Sequence, residues 1–167
     1  MHLTHPFQQI SPETFEWLMR WSRILFWVVL GLYAYIKFAT MPGKNTARSI
    51  LATPPEKLGA LGFWAGFDFL FMLAYTLFFA LCCVWGAGLL SAGSLFYKLG
   101  IALAWATIPL VLLDMAENWC MWQIAIGKKS LAIGQAFRYL KTSKEWLFGA
   151  TVAYAAVVSV LKWTNAI

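Results

Sequence analysis

The sequence predicts an all-α membrane protein: an antiparallel bundle of four transmembrane helices, forming one domain over residues 1–167. Three observations predict it. Hydrophobic residues fill 61% of the 167 positions and charged residues only 12%, with a mean hydropathy of +0.67, whereas a soluble domain of this length carries roughly 25% charged residues. The polar residues are too few to clothe a water-exposed surface, so lipid must cover much of it. The apolar residues are gathered into four runs separated by polar or glycine-rich stretches. Those runs show no strict alternation of polar and apolar residues, which a membrane β-barrel needs.

The first span is expected over about 17–38. Ser11 can cap it, Pro12 suits the first helical turn and Glu13 the positive end of the helix dipole, while Met41-Pro42-Gly43 stops it. A polar loop follows, with room for a short surface helix. Thr53-Pro54-Pro55-Glu56 restarts the chain for a second span over about 58–85, ample for the roughly 20 residues a bilayer requires. Gly86, Gly88, Ser91, Gly93 and Ser94 make a short turn. The third span, about 97–126, closes at Gly127-Lys128-Lys129. A separate basic amphipathic segment, Gln135 to Lys144, is expected next, with Ser143 capping a fourth span over about 144–163 that snorkelling Lys144 and Lys162 extend.

Of the ten tryptophans, Trp17, Trp21, Trp64, Trp85, Trp122, Trp146 and Trp163 fall near expected span ends, where indole rings favour the interface. Trp27, Trp105 and Trp119 lie deeper and are expected to pack against helices or lipid. The formal charge is +6. Its lysines and arginines sit beside apolar runs, as orientation signals and anionic-lipid contacts do, which argues against nucleic-acid binding. Lys37, Lys44, Arg48, Lys57, Lys128, Lys129, Arg138, Lys141 and Lys144 follow spans one and three, whereas Arg20, Arg23, Lys98 and Lys162 lie on the other side. The positive-inside rule then puts both larger loops in the cytoplasm and both termini outside it.

The N-terminal stretch lacks the basic start, apolar core and cleavage site of a secretory signal, so no segment is expected to be removed. His2 and His5 have no cysteine or acid beside them and read as an incidental tail rather than a metal site. Cys82, Cys83 and Cys120 form no disulfide framework and are expected to be buried and free. No metal or cofactor is implied.

Chemistry concentrates in the acids. Asp68 in span two, and Asp114 and Glu117 in span three, lie inside apolar runs, where each ionisable group costs about 2.5–3.5 kcal/mol on insertion scales. Asp114, Glu117 and Asn118 are spaced i, i+3, i+4 and share a helical face. Pro109, upstream, frees the carbonyl of Trp105 and predicts a kink that opens space beside the acids. Tyr33, Asp68, Glu117 and Tyr154 each lie about ten residues, or roughly 15 Å, from the cytoplasmic boundary, and Tyr75 continues the stripe of Asp68. These residues are therefore expected to meet in one midplane layer. No lysine or arginine is expected at that depth, so ion pairing does not account for the acids; desolvation should keep at least one of them neutral at pH 7. Two readings follow. One is a hydrogen-bonded network joining helices; the other is a site for a proton, a cation or the polar group of a hydrophobic ligand. Acid–base catalysis on a lipid-like substrate is an alternative, as is an accessory subunit of a membrane complex.

Gly62 and Gly66 form a GxxxG pair, and Gly149 with Ala153, and Ala155 with Ser159, repeat small-xxx-small spacing, so close helix contact is expected there, within the chain or with a second copy. The segments FDFLFMLAY (67–75) and LLDMAENWCMW (112–122) resemble uncharacterised bacterial four-span proteins with F-D-x-x-F/Y in span two and D-x-x-E-N in span three. That resemblance implies a bacterial inner-membrane location. The acid-rich E-N helix is also similar to one in membrane glutathione-transferase-like proteins, whose basic and histidine residues are missing here. The sterol-isomerase-like four-helix fold places its carboxylates on other spans.

Overall fold

A computed structural model describes residues 4–40, 58–128 and 130–165, with side chains described at 4–36, 66–128 and 130–165. Four helices follow a short 3-10 turn at Pro6–Gln8: α1 (Pro12–Thr40), α2 (Leu58–Gly88), α3 (Leu95–Ala125) and α4 (Leu131–Trp163). No strand occurs among the described residues. The start of α1 is closed by Ser11, whose hydroxyl accepts from the Thr14 backbone N–H at 3.2 Å. Ser94 does the same for α3, accepting from the N–H of Tyr97 at 3.1 Å. Past the end of α3, Gly127 takes a positive φ of 87°, the left-handed conformation that lets a helix turn off and that glycine adopts without strain.

The contacts across the bundle fix its antiparallel sense. Phe26 of α1 stacks on Phe78, whereas Tyr33, two turns later, stacks on Phe71. Tyr75 of α2 meets Asp114 of α3, and Asp68 meets Asn118. Lys144 of α4 meets Asp114 of α3, and Tyr154 meets Phe96. In each pair the numbering rises on one helix as it falls on the other. α2 is the central helix, packed against α1, α3 and α4, while α3 also packs on α4.

The core is layered along the bundle axis. Cys83, Val84, Leu103, Ala104, Tyr154 and Val158 pack at the end holding the α2–α3 turn. Phe26, Met72, Tyr75, Phe79 and Leu110 form the middle, and Cys120, Ile124 and Phe137 lie toward the α3–α4 turn. The outer surface is apolar, with Trp27, Leu112 and Trp119 more than half exposed. Such a surface suits a membrane or a protein partner rather than water.

Several expectations are corrected. Three of the described helical segments, not four, are long and apolar enough to cross a membrane: Gly66–Gly88, Leu95–Ala125 and Leu131–Trp163. α1 is not among them, and Glu13, Glu16, Arg20 and Arg23 occupy its first half. The separate amphipathic segment and the Ser143 cap do not exist; α4 runs unbroken from Leu131, with Ser130 at its N-cap position. α3 is helical on both sides of Pro109, as a proline-kinked helix also is. Gly66 and Gly149 meet nothing among the described residues within 4 Å of a notional Cβ, so neither makes a close contact with those residues. The tight approaches are at Gly86, where a Cβ lies 3.0 Å from Val158, and at Gly100, whose Cβ position collides with the Tyr154 ring. Thr53–Glu56, the 41–57 loop and His2 lie outside the described residues, and Gly62 and Trp64, within α2, lie outside those whose side chains are described.

His5 is no loose tail. It is 5% exposed, and its ring lies 5.0 Å from that of Trp105. Trp105, expected to face helices or lipid, donates its indole N–H to the carbonyl of Thr4 at 3.2 Å. The chain folds back here because the backbone polar groups of a non-helical segment need partners in apolar surroundings.

Candidate functional site: a carboxylate–lysine cluster

Asp114, Glu117 and Asn118 leave α3 on one face, as their spacing requires, and reach two different neighbours. Asn118 donates from Nδ2 to Asp68 Oδ2 on α2 at 3.0 Å. Asp114 and Glu117 turn toward α4, where Lys144 Nζ lies 2.9 Å from Asp114 Oδ1 and in contact with Glu117 Oε2. The Tyr75 hydroxyl of α2 donates to Asp114 Oδ2 at 2.6 Å. Both oxygens of Asp114 are thereby engaged, and its side chain is 3% exposed. Glu117 is engaged through Oε2 and is 12% exposed, against 21% for Lys144.

Tyr75, Asp114, Glu117 and Lys144 thus form one bonded set across α2, α3 and α4, and Asn118 with Asp68 a second pair between α3 and α2. Tyr33 flanks them from α1: its ring stacks on Phe71 at 4.7 Å and runs parallel to Phe67 at 6.5 Å. Tyr154 does not belong to the cluster. Its hydroxyl donates to the carbonyl of Phe96 at 3.2 Å, near the α2–α3 turn. The misplacement has a simple origin, because depth on α4 was counted from Lys144 as though the span began there. Lys144 is in fact level with Glu117, and Tyr154 lies ten residues, or about 15 Å, further along.

Lys144 is the residue that sequence reasoning missed as a partner. Placed in a loop, it left the acids without a cation, and that expectation is overturned by its ion pairs. A signal was present: the sequence contains no proline between Leu131 and Trp163, so nothing in it stops a helix from carrying Lys144 inward.

Electrostatically, two carboxylates share one ammonium. Neither ion is at home in an apolar interior, and pairing repays the desolvation only when further hydrogen bonds complete it. Tyr75 completes Asp114. The triad nonetheless carries one carboxylate more than its lysine balances, so its composition suits one further proton or cation. Aromatic rings surround this polar layer on the α1–α2 side, where Phe71 also meets Tyr75 edge-on at 5.2 Å. Among the described residues no group of three or more histidine, cysteine or acidic side chains has the arrangement of a metal site.

Comparison with protein-family models, with curated proteins and with solved structures finds no match.

Proposed function

We propose that this chain is a multi-span protein of a bacterial inner membrane whose carboxylate–lysine cluster receives the cationic head of a small hydrophobic ligand. The observation that carries the reading is the imbalance at Lys144: Asp114 and Glu117 converge on a single ammonium. An added cation or proton offsets the surplus charge, and the apolar walls accommodate a hydrophobic body. Glu117, the more exposed of the two acids, is the entry point. Aromatic faces at Tyr33 and Phe71 favour a cation further through their negative π-faces.

The test is ligand-induced thermal shift of the purified protein with amphiphilic cations, quinones and sterol-like lipids. Cations should raise the melting temperature of the wild type, and Glu117→Gln and Asp68→Asn should reduce the response. Equal shifts in all three proteins would refute the site.

A second reading is favoured by the Lys144 pairs themselves. Ion pairs from α4 to α3, with Tyr75 and Asn118 tying in α2, also suit an accessory subunit whose polar layer only fixes helix register. That reading expects no cation response in the wild type.

For orientation, the basic residues around the 41–57 loop and the α3–α4 turn place that end of the bundle in the cytoplasm by the positive-inside rule. With α1 as a fourth span, both termini are then non-cytoplasmic.

A further inference from the structure

Every backbone N–H of residues 5–9 has a partner. The His5 N–H donates to Gln8 Oε1 at 2.9 Å; Pro6 has no N–H; the Phe7 N–H donates to His5 Nδ1 at 3.3 Å. Gln8 and Gln9 donate their N–H groups to the carbonyls of His5 and Pro6 at 2.8 and 3.0 Å. Gln8 Nε2 then donates to the Tyr97 hydroxyl of α3 at 3.0 Å, and Thr4 accepts from Trp105. Phe7 rests on the layer formed by Cys83 and Val84 of α2 with Leu103 and Ala104 of α3. The segment is therefore docked across the seam between α2 and α3, and its fold depends on one titratable side chain acting as an acceptor.

We propose that this turn is a pH-operated latch over the α2–α3 seam, docked while His5 is neutral and released when its imidazole takes up a proton. In the docked form Nδ1 accepts a hydrogen bond, so the proton of the neutral ring sits on Nε2. Protonation at Nδ1 sets one N–H against another. It thereby removes the cap on Phe7, and it also buries a cation among rings. The groups facing His5 offer that cation no counter-charge. Its own turn contributes Phe7 and Gln8, α3 contributes Trp105 and, through Gln8, the Tyr97 phenol, and the α2 layer beneath Phe7 contributes the Cys83 thiol. Burial accordingly lowers the His5 pKa below its ordinary 6.5, with no charged neighbour acting on it among the described residues.

The sign follows by linkage. The docked form binds its proton less readily than the released form. Docking is therefore at full strength above about pH 6.5 and weakens as pH falls toward the lowered value, by at most roughly tenfold per pH unit. Release bares the Trp105 indole and the seam beneath Phe7.

The chain has two histidines, so in a His2→Gln background the imidazole signal of 13C-histidine-labelled full-length protein in nanodiscs belongs to His5 alone. Its titration midpoint should fall below 6.5, and amide-exchange protection of residues 5–9 should decline over the same pH range. His5→Asn retains an acceptor for the Phe7 N–H but does not titrate, so where it docks its protection should be independent of pH. A His5 midpoint at or above 6.5 would overturn the latch, as would unchanged wild-type protection across the titration, or an Asn variant that loses protection on acidification as the wild type does. If Asn fails to dock at any pH, the wild-type titration and exchange data decide alone.

Discussion

At the scale of single residues, the molecule depends on a few polar contacts in apolar surroundings. Lys144 pairs with two carboxylates, and removing one member of a buried ion pair leaves a charge with no water to solvate it. Lys144→Met should therefore lower stability by about 3–5 kcal/mol, measured as chemical denaturation in detergent. Adding Glu117→Gln to that variant should recover part of the loss, because one of the stranded charges is gone; strict additivity of the two changes would argue against their coupling. Tyr75→Phe removes a hydrogen bond to a carboxylate and should cost about 1.5–3 kcal/mol. Gly100→Ala sets two effects against each other. Alanine is favoured in a helix interior by about 1 kcal/mol, but its Cβ collides with the Tyr154 ring, which is held in place by the bond from its hydroxyl to Phe96. Overpacking of this kind costs about 1–3 kcal/mol, so the variant should melt at a lower temperature than the wild type. An unchanged melting point would mean that the ring moves aside freely.

At the scale of elements, the decisive feature is the unbroken α4. Had the helix started beside Ser143, a proline there would sit near its first turn and be tolerated. In the interior of Leu131–Trp163 it removes a backbone hydrogen bond and clashes with the preceding turn, at a cost of about 3 kcal/mol or more. Ser143→Pro should also disturb Lys144, the next residue, and so weaken the pairs to Asp114 and Glu117. Thermal denaturation and circular dichroism of the variant check both points; a wild-type melting curve would restore the two-segment description. The existence of the helices was legible because apolar runs and caps such as Ser11 are local signals. The α4 boundary was not, because a basic, polar first half resembles a surface segment until its neighbours are known.

At the scale of the whole molecule, the number of helices that cross the membrane sets which side each terminus faces. Three crossings place the termini on opposite sides, whereas four place them on the same side. A C-terminal tag should be cleaved by external protease in intact spheroplasts if the four-span proposal is right, and an N-terminal tag should be cleaved with it. Protection of either tag until lysis would exclude that topology. The exposed Gly66 and Gly149 address association. Since a Cβ at Gly66 meets nothing among the described residues, Gly66→Leu should leave the monomer's melting temperature unchanged within about 0.5 kcal/mol equivalent. A change in size-exclusion volume without a change in monomer stability would assign that face to a second copy.

The sequence by itself determined the solvent and the secondary structure. Hydrophobicity is a sum over neighbouring residues, and helix periodicity alone puts Asp114, Glu117 and Asn118 on one face. It also brought forward most of the polar cluster, because an acid in an apolar run is conspicuous wherever it points. Only the tertiary structure decided partners. The Lys144–Asp114 pair joins residues 30 apart and the Thr4–Trp105 bond residues 101 apart. Such contacts depend on the register of whole helices, which no local pattern encodes. A one-turn difference in where α4 begins moves Lys144 by about 5 Å, enough to carry it out of reach of the carboxylates. For the same reason Tyr154 left the cluster and His5 became part of the fold.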